Sequence, residues 1–470
     1  MNPIKRLRAG DWIPQDLIHV DAWVRELKTR VAEKPEPLAP PIRAFRDMVV
    51  KDPVLSANAV AMFAEAALIK KRTPLGTCEV SSFEEFLTLL NAIMTQAPEF
   101  IEYEDKDQGE WAPCGLVAFP INALLDWPMA TSYGYGFFSN ALVNQQFKKI
   151  LNYWAVFLGT KASLYVLAPD YKREYQSCGT HYRVLSWLSS EAREKMVKVA
   201  CQAVDREFRC QCEQAPFASF FNCDPDQPYY GFTSWDDFFT RTFRDDKEHP
   251  VRPVAAGEDE IANACESAPL QTPKTGVDET AAFWLKGQPY SLQDMMGFHP
   301  LAGAFIGGTV YQAFLSALSY HRWNSPVTGT IKAAFLVNGS YYLENRYTGF
   351  ASADPDASAP NDSQAFLTAV ATRAVIFIEA DNPRIGLMCF IAVGMAEVSS
   401  CEITVKDGEP VKKGQELGMF HFGGSTHCLI FRKGVTLEFD FHNTTPGLDA
   451  TNIPVCARIA TVSRQLPDGI

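Results

Sequence analysis

The chain has 470 residues, 47% apolar and 21% charged, with a formal net charge of −12. Length and apolar content suit a globular protein with a sizeable core and room for two or three domains. The acidic balance argues against a nucleic-acid partner, the nearest thing to a basic block being KRLR at Lys5 to Arg8.

The opening MNPIKRLRAGDWIP lacks the apolar core of a signal peptide. The longest apolar run, IGLMCFIAVGMA from Ile385 to Ala396, has 12 residues, short of the ~20 that a membrane span needs. The expectation is a soluble, cytoplasmic protein without an integral membrane segment. Its twelve cysteines are scattered, so free thiols are expected rather than a disulfide framework. Cys201, Cys210, Cys212 and Cys223 cluster, but without paired CxxC knuckles or a suitable histidine nearby, so no metal site is expected.

In chain order, the first half reads as mainly helical. Ser82-Phe83-Glu84-Glu85 forms a capping box ahead of FLTLLNAIM. LNYWAVFLGTKASLYVL is apolar and aromatic enough for a buried helix running into a further core segment. Ser190 precedes EAREKMVKVACQAVDREF, whose apolar positions recur at helical spacing. The turn-rich CDPDQPYYGF, Cys223 to Phe232, marks a boundary and divides the chain into residues 1–225 and 226–470. Beyond it come short β-like runs: GTIKAAFLV, YYLENRY, RAVIFIEA, LMCFIAVGMAEV, CEITV, LGMFHF, CLIF and TLEFDF. Gly, Pro, Asn and Asp separate them, which predicts an antiparallel, sandwich- or barrel-like domain and an α+β fold overall. ASADPDASAPNDS, Ala351 to Ser363, is expected to be an exposed, mobile loop.

Within MFHFGGSTHCLIF, Met419 to Phe431, Gly423-Gly424-Ser425 interrupts an otherwise strand-like run. One reading is a bulge or tight turn. The other is chemical: glycine lets the backbone bend so that the Ser425 hydroxyl can attack the carbonyl of Gly424. The ester so formed can eliminate to dehydroalanine, which hydrolyses to a pyruvoyl group and ammonia. The chain is then cut, and its new terminus carries an electrophile that can bind an amine and accept electrons as CO2 departs.

Four segments decide between these readings: SWDDFFTRTFRDD (Ser234 to Asp246), LKGQPYSLQDMMG (Leu285 to Gly297), SYHRWNSPVTGTI (Ser319 to Ile331) and LGMFHFGGST (Leu417 to Thr426). They resemble the ordered signature blocks of the phosphatidylserine decarboxylase family, from about Tyr229 onward. LNYWAVFLGTKAS, YYGFTSWDDFFTRTFR, ACES and IFIEADNPRIGL are similar to a fungal branch that includes the L-tryptophan decarboxylase of psilocybin biosynthesis. The resemblance implies a pyruvoyl-dependent decarboxylase, its cofactor derived from Ser425, acting on a free, aromatic amino acid. The cleaved chains are expected to stay associated. Phosphatidylserine as substrate remains the alternative.

By matching position, the resemblance implies that Gly424 supplies the scissile carbonyl and that His321 serves the decarboxylation step, where a near-neutral pKa suits proton delivery. Glu266 in ACES takes the place of a family aspartate that orients a histidine. The family histidine that activates the serine is replaced by Asn324, and an amide cannot take up and return a proton at neutral pH. Another base, slow cleavage, or an unprocessed, non-catalytic member are the possible outcomes. His427 and His421 are the candidate bases, since residues two apart on a strand share a face. Trp323, Trp284 and Phe283 are candidates for lining an aromatic substrate pocket. GEPVKKGQELG, Gly408 to Gly418, lacks phosphate-loop spacing and is expected to form a turn into the next strand.

Overall fold

The computed structural model describes residues 18–463 apart from 72–79, 106–108, 115–118, 178, 203–211, 246–250, 281–288, 317, 346–362, 399 and 423–424. The expected loop at Ala351 to Ser363 thus falls almost wholly outside the described residues. Its last member, Ser363, is buried, and its hydroxyl accepts the amide of Asn345. The chain divides into two compact units. The first comprises residues 1–192, 232–238 and 339–367, and the second residues 193–231, 239–338 and 368–470, so neither is a single stretch.

The first unit is dominated by α1 (Ile18–Glu33), α2 (Pro40–Lys51), α3 (Pro53–Lys70), α4 (Phe83–Ile93), α5 (Pro120–Met129), α6 (Ser132–Phe138) and α7 (Ala141–Leu158). Helix α2 buries Ile42, Phe45 and Val49, one face of a helical repeat. The Phe45 ring meets those of Phe83, Phe137 and Phe147 at centroid distances of 5.6, 6.1 and 5.1 Å. Asp52 caps α3 by accepting the amides of Val54 and Leu55. At α4 the Ser82 hydroxyl accepts the amide of Glu85, as the capping box requires, but the Glu85 carboxylate turns back to Ser81, accepting its amide and hydroxyl. The box is therefore offset by one residue. Helix α7 runs into a 3-10 turn, Lys161–Leu167, as the apolar LNYWAVFLGTKASLYVL implies.

Several features of this unit differ from the sequence reading. Four strands, β1 (Phe100–Asp105), β2 (Glu110–Pro113), β3 (Lys172–Ser177) and β4 (Thr180–Leu185), form an antiparallel sheet ordered β2-β1-β4-β3. KREYQS and EWAP carry no apolar run because these strands are largely uncovered, so the usual strand signal is absent. YYLENRY, predicted as a strand, contributes instead to the aromatic core: Tyr342 packs on Phe147 and Phe138. Helix α3 is long and apolar enough, by length and composition, to cross a membrane. Ser56, Asn58 and Glu65 break its apolar runs, so a count of contiguous residues passes over it. Within the unit its last residue, Lys70, is fully buried, paired with Asp21 and lying 5.2 Å from the centre of the Trp127 ring.

The second unit is built on antiparallel strands: β5 (Glu260–Ala262), β6 (Ala268–Pro269), β7 (Lys274–Thr275), β8 (Thr309–Leu315), β9 (Arg322–Asn324), β10 (Gly329–Val337), β11 (Arg373–Ala380), β12 (Leu387–Gly394), β13 (Ser400–Ile403), β14 (Pro410–Val411), β15 (Glu416–His421), β16 (Ser425–Phe431), β17 (Leu437–Phe439) and β18 (Arg458–Val462). Among the described residues the largest sheet is ordered β14-β10-β11-β12-β16-β8-β6, with β7 also on β8. It is open at its edges, not a closed barrel. Strands β8, β12 and β16 are buried throughout, which is why their sequences read as apolar runs without alternation. Two smaller sheets, β13-β15-β9 and β17-β18-β5, complete the unit.

Cys201 and Cys212 are joined by a disulfide, with Cα atoms 5.8 Å apart, against the expectation of free thiols throughout. Sequence spacing does not reveal that two cysteines 11 residues apart lie within bridging distance.

Candidate active site

Strand β16, STHCLIF, is central: it pairs with β12 from Gly394↔Ser425 to Met388↔Phe431 and with β8 from Leu315↔Ser425 to Thr309↔Phe431. Ser425 is its first residue. The side chain is fully buried, and its hydroxyl has no hydrogen-bond partner among the described residues. A buried hydroxyl without a partner is costly, on the order of 1–3 kcal/mol, and calls for a reason. The next residue is firmly held. The Thr426 hydroxyl donates to the Ala313 carbonyl at 2.9 Å and accepts from Gln312 Nε2 at 3.1 Å. Gln312 Oε1 in turn accepts from the Tyr290 hydroxyl at 2.7 Å, within the QPY block.

The ladders on both sides of β16 are regular, so His427 lies on the same face as Ser425. It is fully buried, and burial lowers its pKa to about 3. Its Nε2 lies 3.0 Å from the hydroxyl of Ser267, and Nδ1 has no partner among the described residues. The other candidate base, His421, ends β15, which belongs to a different sheet, and its Nε2 lies 2.8 Å from Glu402. The chain changes sheets between the two histidines, so strand periodicity does not carry His421 onto the face of Ser425.

His321 sits just before β9, fully buried, with its ring stacked on Phe239 at 4.1 Å. The same Phe239 ring meets Phe422 edge-on at 5.7 Å, and the His321 carbonyl accepts the amide of Phe420. The blocks around Phe239 and His321 are knitted together. Arg241 donates to the Leu318 carbonyl at 2.9 Å, Arg322 Nε to the Thr240 carbonyl at 2.7 Å, and Phe243 stacks on Tyr320. Burial lowers the Arg241 pKa to about 9. Sequence alone gave Arg241 no role; its signal was only membership of the TRTFR block.

Asn324 ends β9. Its amide donates to the Ala264 carbonyl, and its Nδ2 donates to Gly414, in the turn that GEPVKKGQELG forms before β15. Its Oδ1 is buried without a partner among the described residues. Glu266 is occupied by a buried guanidinium: Arg252 reaches its two oxygens at 2.5 and 2.9 Å, and the amide of Val455 donates to it at 2.9 Å. No described contact joins Glu266 to a histidine. Trp323 is fully buried, its ring against Phe420 at 5.0 Å and Phe390 at 5.6 Å. A side chain at Gly418 would come within 2.7 Å of that ring, so the glycine makes room for it. Gly424, Trp284 and Phe283 lie outside the described residues.

Ser425 is buried at a strand start with no hydrogen-bond partner among the described residues, His427 shares its strand face, and His321 is buried against Phe239 in the same unit. Comparison with known proteins identifies the family. Family models for phosphatidylserine decarboxylase match residues 235–448 and 39–196. The chain is 39% identical over 370 residues to decarboxylase iboD of Amanita muscaria, covering 75% of this chain and 94% of that protein. It is 32% identical over 433 residues to L-tryptophan decarboxylase of Psilocybe cubensis, covering 90% and 88%, and 33% identical over 400 residues to that of Psilocybe cyanescens, covering 84% and 81%. The chain is a carboxy-lyase. It belongs to the phosphatidylserine decarboxylase family.

Proposed function

We propose that this chain is a self-processing, pyruvoyl-dependent decarboxylase that converts a free aromatic L-amino acid, tryptophan or a close analogue, to its amine and CO2. The observation that carries the reading is Ser425, buried and without a partner among the described residues, at the first position of the central strand in a chain of this family. The L-tryptophan decarboxylases, matched over most of their length, support a free amino acid rather than a lipid.

The residues around Ser425 fit a pyruvoyl group. Its hydroxyl has no partner among the described residues, Thr426 fixes the strand behind it, and no charged side chain is drawn into the ladder on either side. That group supplies an electrophilic carbonyl that binds the substrate amine and takes up the electron pair left by CO2. His321 holds the proton destined for the substrate Cα, its plane fixed by Phe239. The buried strands exclude water, so that proton comes from the imidazole instead of solvent. After a cut before Ser425 the two pieces stay interleaved, since β16 lies between β12 and β8, and β18 pairs with β5.

Mass spectrometry of the denatured protein tests this. A fragment spanning residues 425 to 470 and blocked by pyruvoyl is expected, and borohydride with tryptophan should trap an adduct on it. CO2 release from phosphatidylserine vesicles, but not from tryptophan, phenylalanine or tyrosine, would overturn the substrate. An intact 52.3 kDa chain alone would overturn the processing.

A further inference from the structure

We propose that His427, oriented by Ser267, is the base that starts self-cleavage at Ser425, doing what Asn324 cannot. The inference rests on the self-processing reading above and adds the groups that carry it out.

The hydrogen bonds around Ser267 bear on which imidazole nitrogen acts. The Ser267 hydroxyl donates to the Cys265 carbonyl at 3.1 Å. Its oxygen is then left to accept, from Asn263 Nδ2 at 3.3 Å and from His427 Nε2 at 3.0 Å. With the hydroxyl hydrogen directed to Cys265, the proposed step has the hydrogen of the neutral ring on Nε2 and the lone pair on Nδ1. Nδ1 has no partner among the described residues, and neither has the Ser425 hydroxyl on the same strand face. The two atoms, one a donor and the other an acceptor, lie on one strand face and are not bonded to each other in this structure.

The alternatives are otherwise engaged. Asn324 holds the Gly414 carbonyl and has no basic atom. Glu266, beside Ser267 in the same block, is taken by Arg252 and the Val455 amide, so its charge is not available to an imidazole. A serine thus stands where a carboxylate would orient the ring. It holds the ring at Nε2 without adding charge. Burial keeps the ring neutral at physiological pH, so its lone pair is free of a proton when the step begins.

In the step itself the Ser425 Oγ–H proton moves to His427 Nδ1 as Oγ bonds to the carbonyl carbon of Gly424. The Gly424–Ser425 C–N bond breaks, and the Ser425 nitrogen receives that proton from Nδ1, giving an ester with no net change in atoms. The residue-425 Cα proton passes to solvent water as the Cβ–O bond breaks, releasing the Gly424 carboxylate and leaving dehydroalanine. One water then converts this to the pyruvoyl group and releases ammonia.

The test is a time course of intact mass on full-length chain made by cell-free synthesis. His427→Gln should slow cleavage by ~100-fold or more, the scale of a lost general base. Ser267→Ala should slow it about tenfold, the scale of one orienting hydrogen bond, and Ser267→Thr should restore the rate. His427→Gln cleaving at the wild-type rate would overturn the assignment. If that variant does not fold, Ser267→Ala decides, and an unchanged rate overturns it. A wild-type chain that never cleaves would instead sink the processing reading itself.

Discussion

The imidazole of His321 lies face to face with the ring of Phe239, their planes 25° from parallel. An aromatic clamp of this kind fixes the plane of the histidine through ring contact, and that contact uses neither ring nitrogen. Under the proposed function, replacing His321 by Gln should therefore separate self-cleavage from decarboxylation. Cleavage before residue 425 is expected to proceed normally, while CO2 release falls by ~100-fold or more. Intact mass and a CO2 assay on one preparation read both; a variant that decarboxylates normally would remove His321 from the mechanism.

Asn324→His tests whether position 324 limits processing. With Glu266 already bound by Arg252 and Val455, a new imidazole there gains no carboxylate. Cleavage is expected to stay within about threefold of wild type, well under the effect of a working general base. A tenfold acceleration would mean that this position is the bottleneck.

The Arg252–Glu266 pair is nearly inaccessible to solvent on both sides. Removing one partner strands a buried charge, so Arg252→Met should cost about 3 kcal/mol in urea unfolding. Changing Glu266 to Leu in that background should recover part of the loss, because two apolar groups leave no charge unpaired. A single-variant loss below ~0.5 kcal/mol would show the pair to be dispensable.

The lowered pKa of His427 has a definite sign for stability. The folded state holds the ring neutral down to about pH 3, whereas the unfolded chain protonates it near 6.5. Its contribution is complete above pH 6.5 and is lost as pH falls toward 3, at up to about 1.4 kcal/mol per pH unit for one proton. Urea unfolding at pH 7 and pH 5 should show this fall, and His427→Gln should be flatter over that interval. Equal slopes would mean that other groups govern the acid limb.

The β domain was legible because its central strands are buried on both faces and so read as unbroken apolar runs, such as RAVIFIEA and LMCFIAVG. The sheet of the first unit was not, because KREYQS and EWAP lie largely uncovered and carry charges where a core strand would carry valine. At the site, Ser425, His321 and His427 stood out by residue type within recognisable blocks. Ser267 and Arg252 did not, since their roles come from pairings between segments far apart in the chain, such as Ser267 with a residue 160 positions later. No local spacing encodes such a partner.

The place of β16 between β12 and β8 has a consequence for how the protein comes apart. A single chain folds and unfolds with an equilibrium independent of its concentration. If the chain is cut before Ser425 as proposed, the strand at the centre of the sheet belongs to a separate molecule, and unfolding becomes a dissociation. Stability then rises with protein concentration, as in an obligate heterodimer. Dilution, harmless to the intact chain, would then become a denaturing condition for the cut one.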